Sequence, residues 1–228
     1  MKLIIFDIDG TLTDSKAIDD ACFVETFKEV FDLDIGELDW SKFKNVTDTS
    51  ITTEILRDKF SGEEFDRAFE KLKQEFLKKL SAASLENPSF FQEVPGSKAF
   101  FDLIKSKYHI GIGTGSWSAS GRTKLNAIGI KADDYPFGNC DNFVSREEMV
   151  QDSIRQAKIK YMTEEFSEIV YFGDGVWDYK TCKNLNIRFI GIDSHNDNKL
   201  RDIGAKRVFT NYLDVGVIIE EIEKNTFL

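Results

Sequence analysis

The sequence is poor in cysteine and in long apolar segments, and each shortage excludes a class of protein. Its three cysteines are far apart and form no CxxC pair. In a chain of 228 residues this argues against a disulfide framework and favours a reducing compartment, so we expect a cytoplasmic protein. No apolar run approaches the ~18 residues that cross a membrane. Asp7 interrupts the apolar start after a few residues, unlike a secretory signal.

Basic residues are also too few for a polyanion binder. The chain has 30 Lys and Arg against 40 Asp and Glu, which gives a formal net charge of −10. Proteins that bind duplex DNA or anionic membranes need a cationic footprint, so we expect neither partner. An anionic substrate must instead be captured by local positive groups. With 41% hydrophobic residues the chain has enough for a packed core, and its length suits one domain plus a smaller insert.

The chain divides into a helical stretch and an alternating stretch. Residues 15 to about 84 carry apolar residues at helical spacing, such as Phe65, Phe69 and Phe76, and contain no clear strand. From residue 97 onwards, strands and helices alternate. The predicted helices are 97–107, 118–128, 146–161, 176–185 and 212–224, and the predicted strands are 108–113, a short one near Phe143, 168–173, 187–192 and 208–209.

This alternation predicts an α/β fold with a Rossmann-like parallel sheet and helices on both faces. The buried strand Leu3–Ile8 belongs to the same sheet. We therefore expect a core domain of residues 1–14 and 90–228, and an inserted all-helical domain of residues 15–89. Ligands of such sheets bind beyond the carboxyl ends of the strands, which is where chemistry is expected.

The first strand is followed by the sequence DIDGTLTD at 7–14. Asp7 and Asp9 would point to one face of a regular strand. Two carboxylates held together repel each other unless a cation lies between them or one binds a proton. Gly10 lets the backbone turn and approach a ligand closely. An ordinary Asp-Gly turn is the alternative interpretation.

Polar groups also follow later strands. Thr114 and Gly115 precede a helix and offer hydroxyl and N–H donors to an anion, although a simple glycine turn fits as well. Asp174 and Asp178, in GDGVWD at 173–178, would share one face of a starting helix, or Asp174 could be only a helix cap. Arg146 opens the helix after the short strand. A cation at a positive helix N-terminus suggests a nearby anion, and a solvated arginine is the alternative.

Together these strand ends supply carboxylates, a hydroxyl and a guanidinium. Clustered carboxylates favour a hard cation with oxygen ligands, and Mg²⁺ fits. Mg²⁺ combined with arginine, a hydroxyl and helix N-termini is what phosphoryl transfer requires.

The motifs resemble those of the haloacid dehalogenase superfamily, specifically its C1-capped members related to phosphoglycolate phosphatase and β-phosphoglucomutase. The resemblance rests on DIDGTLTD at 7–14, a strand ending in Thr114, a basic residue before a helix, and GDGVWD at 173–178. It implies that residues 15–89 are a cap domain, that Asp7 is the nucleophile and that Asp9 is the general acid and base.

The resemblance also implies roles for the other motif residues. Gly10, Thr114, Gly115 and Arg146 would bind the phosphoryl group. Mg²⁺ would be held by Asp174, the Asp7 carboxylate and the Asp9 backbone carbonyl, and Asp178 would orient the metal site. The family's third motif usually has lysine where this chain has Arg146. Arginine keeps the charge, and Lys158, about three turns further along the same helix, is the alternative.

The resemblance further implies a Mg²⁺-dependent phosphatase that hydrolyses a small-molecule phosphomonoester through an aspartyl-phosphate. Asp9 favours this chemistry because a leaving-group acid is needed for phosphoesters. A phosphomutase of the β-phosphoglucomutase type and a non-catalytic phosphate-binding module are the alternatives. We expect a monomer or homodimer. The polar turn from Lys44 to Asp48 could reach the leaving group or be a solvated loop, and Trp117 and Trp177 could each line the pocket or pack.

Overall fold

Eight strands occur in residues 1–36 and 40–224, which the computed structural model describes. They are β1 (Leu3–Phe6), β2 (Thr13–Asp14), β3 (Gln92–Glu93), β4 (His109–Gly113), β5 (Phe137–Gly138), β6 (Ile169–Gly173), β7 (Arg188–Ile192) and β8 (Val208–Phe209). Six of them form a parallel sheet in the order β5-β4-β1-β6-β7-β8. The first strand therefore lies inside the sheet, between β4 and β6.

Helices connect and cover these strands. They are α1 (Lys16–Phe31), α2 (Asp48–Arg57), α3 (Gly62–Glu86), α4 (Ser97–Ile104), α5 (Ser118–Ala127), α6 (Arg146–Lys160), α7 (Val176–Leu185), α8 (Lys199–Asp202) and α9 (Val215–Glu223). The predicted α/β fold with a parallel sheet is confirmed. None of the helices in the described part of the chain is long and apolar enough to span a membrane.

The continuous apolar run of β1 reflects burial on both sides of the sheet. Ile4 and Phe6 pack into one cluster with residues of α4, α5 and α9. Leu3 and Ile5 pack into a second cluster with residues of α6, α7 and α8. Successive side chains of a strand point to opposite faces, so a strand covered on both faces needs apolar residues at every position.

The helices α1, α2 and α3 enclose a third apolar cluster. Phe23, Phe27, Leu72 and Phe76 are buried in it. Trp117, immediately before α5, is also buried there, so the helical layer is packed onto the carboxyl edge of the sheet. The chain leaves the sheet through β2 and returns through β3, and these two short strands pair antiparallel.

The predicted strand near Phe143 was wrong. The structure has β5 at Phe137–Gly138, and Phe143 lies in the loop before α6. A strand of two residues is too short to show an alternating pattern, and Gly138 contributes no apolar side chain. Gly138 is required there because a Cβ atom would collide with the Met149 carbonyl of α6. Phe143 instead packs against the cluster of the helical layer.

Candidate active site

Asp7 is the first residue after β1, inside the carboxyl edge of the sheet. Its backbone N–H donates to the Phe172 carbonyl at 2.9 Å, which extends the pairing with β6 by one step. The carboxylate is buried. Its Oδ1 lies 3.2 Å from Nη2 of Arg146. A carboxylate and a guanidinium thus meet at the edge where ligands of such sheets bind.

Arg146 is held in place by the first turn of α6. Ser145 Oγ accepts from the Glu148 N–H at 3.3 Å, and the Glu148 carboxylate accepts from the Ser145 N–H at 3.1 Å, which forms a capping box. From this turn the buried guanidinium donates to Asp178 Oδ1 at 2.5 Å and to the Val46 carbonyl at 3.1 Å. The guanidinium therefore joins α6, α7 and the segment before α2.

Lys158, the alternative cation, is exposed in the last turn of α6. It lies about 18 Å along the helix from Arg146, at ~1.5 Å per residue. Among the residues that the structure describes, the Lys158 side chain has no contact with the acidic cluster. The structure brings Arg146, and not Lys158, to the carboxylates.

Both carboxylate oxygens of Asp178 accept hydrogen bonds from groups of the protein. Its Oδ1 accepts from Arg146 and from the Tyr171 hydroxyl at 3.3 Å, and its Oδ2 accepts from the Gly175 N–H at 2.9 Å. Asp174 differs. Its Oδ2 pairs with the Lys16 ammonium, whereas its Oδ1 is buried and has no hydrogen-bond partner within the described residues.

These carboxylates fit a hard divalent cation. One carboxylate oxygen each of Asp7, Asp174 and Asp178 lies within 4.8 Å of the others. Burial raises the pKa of Asp7 well above its usual range, and the neighbouring Asp178 and Asp174 raise it further. Burial also raises the pKa of Asp174 to about 6. Repelling carboxylates with an orphaned oxygen are the donor set that Mg²⁺ prefers.

Lys16 was missed by the sequence reasoning. It opens α1, and its ammonium forms an ion pair with Asp174. The ammonium also lies 5.8 Å from the centre of the Trp177 ring. No local pattern marks this residue, because its partner stands 158 positions further along the chain.

Asp9 is not part of the cluster of the other three carboxylates and is surrounded by donors. Ser15 Oγ donates to its Oδ1 at 2.7 Å, and Ser116 Oγ and Lys124 Nζ donate to its Oδ2 at 3.1 and 2.8 Å. Burial alone would raise the pKa of Asp9. The Lys124 ammonium and these hydrogen bonds overcome that effect and hold its pKa below the ordinary value.

Lys124 is another residue that the sequence reasoning missed. Its side chain on α5 is completely buried, and its ammonium also lies 2.6 Å from Asp19 Oδ1 of α1. Asp19 shares this one cation with Asp9, and burial raises the pKa of Asp19 to about 8. Its position could have indicated burial, because Lys124 lies on the same face of α5 as the small residues Ser120 and Gly121, which are buried.

Thr114 and Gly115 line the pocket together with Ser116, Arg146 and Asp7. The Thr114 N–H donates to the Gly138 carbonyl at 3.0 Å, which fixes the end of β4 against β5. A Cβ atom at Gly115 would collide with the Arg146 guanidinium. Glycine is therefore required here for the guanidinium to reach the pocket.

Gly10 lies beside the pocket and does not line it. Its φ angle is +75°, a left-handed conformation that glycine adopts without strain. A Cβ atom at this position would also collide with the Asp174 carboxylate. The structure places Gly10 against the metal-binding candidate Asp174, so its direct contact with a phosphoryl group stays a prediction.

The helical layer forms the other wall of the pocket. Its lining residues from this layer are Lys16, Asp19, Asp20, Trp40, Val46, Thr47, Asp48 and Ile51. Asp48 is fixed to the sheet edge, because its N–H donates to the Gly115 carbonyl and its Oδ2 accepts from the Trp117 N–H, each at 2.9 Å. The pocket measures about 70 Å³ and is partly open to solvent.

For the polar turn from Lys44 to Asp48, the structure supports one interpretation for some residues and the other for the rest. The same is true of Trp117 and Trp177. Thr47 and Asp48 line the pocket, whereas Lys44 and Asn45 line a separate surface cavity. Trp177 lines the pocket, and Trp117 is buried beneath it in the cluster of the helical layer.

Comparison with known proteins matches this arrangement to one family. The family model for haloacid dehalogenase-like hydrolases matches residues 4–192, a range that includes every candidate site residue described above. No curated protein sequence matches the chain.

Solved structures share the fold over nearly the whole chain. A hydrolase from Pseudomonas syringae is 20% identical, with a TM-score of 0.69 over 98% of this chain and 100% of that one. A β-phosphoglucomutase from Clostridium difficile is 19% identical, with a TM-score of 0.65 over 96% of each chain. A variant of CbbY from Rhodobacter sphaeroides, in complex with xylulose 1,5-bisphosphate, is 15% identical, with a TM-score of 0.62 over 94% of this chain and 96% of that one.

Proposed function

Since this chain belongs to the haloacid dehalogenase-like hydrolases, we propose that it is a Mg²⁺-dependent phosphatase that hydrolyses a small phosphomonoester. The observation that carries the proposal is the contact between Asp7 and Arg146, at 3.2 Å, on the wall of a pocket that Thr114 also lines. A nucleophile, a cation and a hydroxyl donor thereby face one small space. Phosphoryl transfer needs such positioning and charge stabilisation.

The proposed reaction has two displacement steps. A carboxylate oxygen of Asp7 attacks phosphorus, the bond to the alcohol oxygen breaks, and Asp9 gives its proton to that oxygen. Water then attacks the aspartyl-phosphate and gives a proton to Asp9, which releases phosphate and restores the Asp7 carboxylate. Arg146 and Thr114 hold the phosphoryl oxygens in both steps.

The surroundings of Asp9 suit the second step directly. With Lys124 beside it, Asp9 is ionised at rest, which is the form that accepts a proton from water. The first step needs the protonated form. A phosphate dianion bound beside Asp9 raises the pKa of that carboxyl, because a neighbouring like charge favours the neutral acid.

The metal would be held by Asp7, Asp174 and the backbone carbonyl of Asp9. It supplies positive charge next to the phosphoryl group when it is bound. Asp178 acts as a positioning residue, since both of its oxygens are occupied by Arg146, Tyr171 and Gly175.

Residues 15–89 act in this proposal as a cap on the core formed by residues 1–14 and 90–228. The chain passes between these two parts twice, and the two connecting segments pair antiparallel as β2 and β3. A pocket of about 70 Å³ has room for about five water-sized groups, which favours a small-molecule substrate over a phosphoprotein or nucleic acid. The three cysteines are free and buried, which supports the proposal of a cytoplasmic protein.

Hydrolysis of p-nitrophenyl phosphate tests the proposal. Wild type is assayed with Mg²⁺ and with EDTA, beside Asp7→Asn, which keeps the shape of the side chain and removes the nucleophile. Asp66→Asn, at an exposed position of α3, makes the same change in charge and serves as the control. We expect Mg²⁺-dependent release that is lost in Asp7→Asn and retained in Asp66→Asn. Release that persists in Asp7→Asn contradicts the proposed nucleophile.

A phosphomutase of the β-phosphoglucomutase type is the second candidate, and the shared fold with that enzyme from Clostridium difficile favours it. A mutase returns the phosphoryl group to a sugar and requires a bisphosphate to start. Interconversion of sugar phosphates that depends on added bisphosphate, with little release of inorganic phosphate, would assign this activity instead.

A further inference from the structure

Acidic residues outnumber basic residues in the pocket. Six aspartates line it, against two cations, Lys16 and Arg146. Both cations are paired with carboxylates of the sheet edge, Lys16 with Asp174 and Arg146 with Asp7 and Asp178. On the wall formed by the helical layer, Lys16 of α1 is thus already paired, and the other charged residues that line the pocket are Asp19, Asp20 and Asp48.

Lys124 does not supply a free positive charge to this wall. It is completely buried and is occupied by Asp9 and Asp19. Two other cations, Lys44 and Lys180, line a separate surface cavity that shares Val46, Arg146 and Trp177 with the pocket. Among the described residues that line the pocket, both cations are thus already paired with carboxylates. A second anionic group on a substrate would lie against carboxylates without an unpaired cation to receive it, which is strongly unfavourable.

The carboxylates of Asp20 and Asp48 can accept more hydrogen bonds than the described residues donate to them. Asp48 is only 7% exposed, and Trp117 N–H is the donor to its Oδ2, while its Oδ1 has no donor within the described residues. Asp20 accepts only a long hydrogen bond, at 3.4 Å, from the Trp40 indole N–H and has no ion-pair partner in the described part of the chain. Burial raises the pKa of Asp20 to about 6.

Trp40 adds a contact of a different kind. It lines the same pocket as the two aspartates and packs against Phe23 and Phe43 at ring distances of 6.2 and 6.5 Å. An aromatic ring beside carboxylates in a partly desolvated site attracts an organic cation, because the ring quadrupole and the carboxylates both favour positive charge.

We propose that the alcohol released by this phosphatase carries an ammonium group, so that the substrate is the phosphate ester of a short amino alcohol, with the ammonium bound by Asp20 and Asp48 beside Trp40. This inference rests on the proposed phosphatase activity and narrows its substrate class. The small pocket volume of about 70 Å³ favours an alcohol with a short chain. The bisphosphate bound to CbbY carries a second anion, and the one lysine that this wall contributes among the described residues, Lys16, is already paired with Asp174.

Three two-carbon esters test the inference, because they differ only in the terminal group. Phosphoethanolamine carries an ammonium, 2-hydroxyethyl phosphate a hydroxyl and phosphoglycolate a carboxylate. Wild-type protein is assayed for phosphate release from each at saturating Mg²⁺, with p-nitrophenyl phosphate in parallel. We expect kcat/KM for the ammonium ester to exceed that for the hydroxyl ester at least tenfold, and that for the carboxylate ester to be the lowest.

Variants locate the source of the preference. Asp20→Asn and Asp48→Asn keep a hydrogen-bond acceptor and remove one charge. Each is expected to lower the ratio of kcat/KM for phosphoethanolamine to that for phosphoglycolate at least fivefold. The exposed control Asp66→Asn is expected to leave this ratio unchanged. A ratio unchanged in both pocket variants overturns the assignment of the ammonium to this wall.

The outcomes separate this inference from the proposed function. Hydrolysis of p-nitrophenyl phosphate together with equal or better turnover of phosphoglycolate than of phosphoethanolamine overturns the inference and leaves the phosphatase standing. Absence of release from all four compounds overturns both. Turnover of phosphoethanolamine above the other two-carbon esters, with the ratio lowered in Asp20→Asn, supports both.

Discussion

The ammonium of Lys124 lies 2.8 Å from Oδ2 of Asp9, and no part of the lysine side chain is exposed to solvent. The same ammonium lies 2.6 Å from Asp19 of α1. One buried cation therefore joins α5, the loop after β1 and the first turn of the helical layer. A charge buried among carboxylates has a large influence on both stability and protonation.

Lys124→Met is expected to destabilise the protein by about 3–5 kcal/mol, because removing one partner leaves buried carboxylates without a cation. Urea unfolding followed by circular dichroism measures the change. Lys158→Met, at an exposed position of α6, is the matched control and is expected to change the free energy of unfolding by less than about 0.5 kcal/mol. Equal stabilities of Lys124→Met and wild type would contradict the role of this ion pair.

Replacement of Arg146 is expected to impair phosphate release far more than replacement of Lys158. Arg146→Lys keeps the charge but loses the planar group that reaches Asp7, Asp178 and the Val46 carbonyl together. We expect kcat/KM for p-nitrophenyl phosphate to fall about 10²-fold, comparable with loss of one charge-stabilising donor. Lys158→Met is expected to match wild type. A strong loss of kcat/KM in Lys158→Met would show that Lys158 supplies the cation of the family's third motif.

Asp20→Asn is expected to stabilise the protein at neutral pH. Burial raises the pKa of Asp20 from 3.8 to about 6, so the folded state binds this proton more tightly than the unfolded chain does. Its contribution to stability is complete below about pH 4 and is lost as the pH rises through about 6.

We therefore expect Asp20→Asn to exceed wild type by on the order of 1 kcal/mol at pH 7.5, after allowance for solvent screening of a partly exposed group. The difference is expected to shrink at pH 4.5. Urea midpoints at the two pH values measure it, with Asp66→Asn as the control. A wild-type protein more stable than Asp20→Asn at pH 7.5 would show that this carboxylate is structurally favourable.

Mg²⁺ is expected to raise the thermal midpoint of the resting protein. Asp7 and Asp174 lie in a buried cluster whose mutual repulsion a divalent cation relieves. At a concentration 100 times the dissociation constant, binding to the folded state adds about 2.7 kcal/mol. Thermal unfolding with and without Mg²⁺, in the absence of any substrate, measures this shift.

Asp174→Asn is expected to abolish most of the response to Mg²⁺, because it removes the charge of the carboxylate with an orphaned buried oxygen. Asp66→Asn is expected to respond as wild type does. A midpoint shift of equal size in Asp174→Asn would place the bound ion elsewhere.

Local pattern was sufficient to predict the strands of the sheet other than β5, and to single out the carboxylates that the structure brings together at its carboxyl edge. β1 is continuously apolar because both faces are covered, and Asp7 follows it directly, so the strand and its terminal carboxylate are visible together in the sequence. The helix predicted at 176–185 is α7 itself. These features depend on residues that are close in sequence, which is why they could be predicted.

What escaped prediction depends on residues that meet only through the fold. Lys124 reaches Asp9 across 115 positions, and Lys16 reaches Asp174 across 158. Neither lysine belongs to a local motif. The proposed ammonium site likewise arises from Asp20 and Asp48, on two different helices, and from Trp40, which lies between them in sequence. β5 was misplaced because two residues carry no periodic signal.

The arrangement of the three tryptophans gives this protein an intrinsic optical reporter. Trp117 is completely buried between the helical layer and the sheet edge, where its indole N–H donates to Thr49 Oγ1 at 2.9 Å. Trp40 and Trp177 line opposite sides of the pocket, one in the helical layer and one on α7. Separation of the two layers would expose all three indoles to water, so their emission would shift to longer wavelength. Any such separation can therefore be tested in unlabelled protein by fluorescence alone.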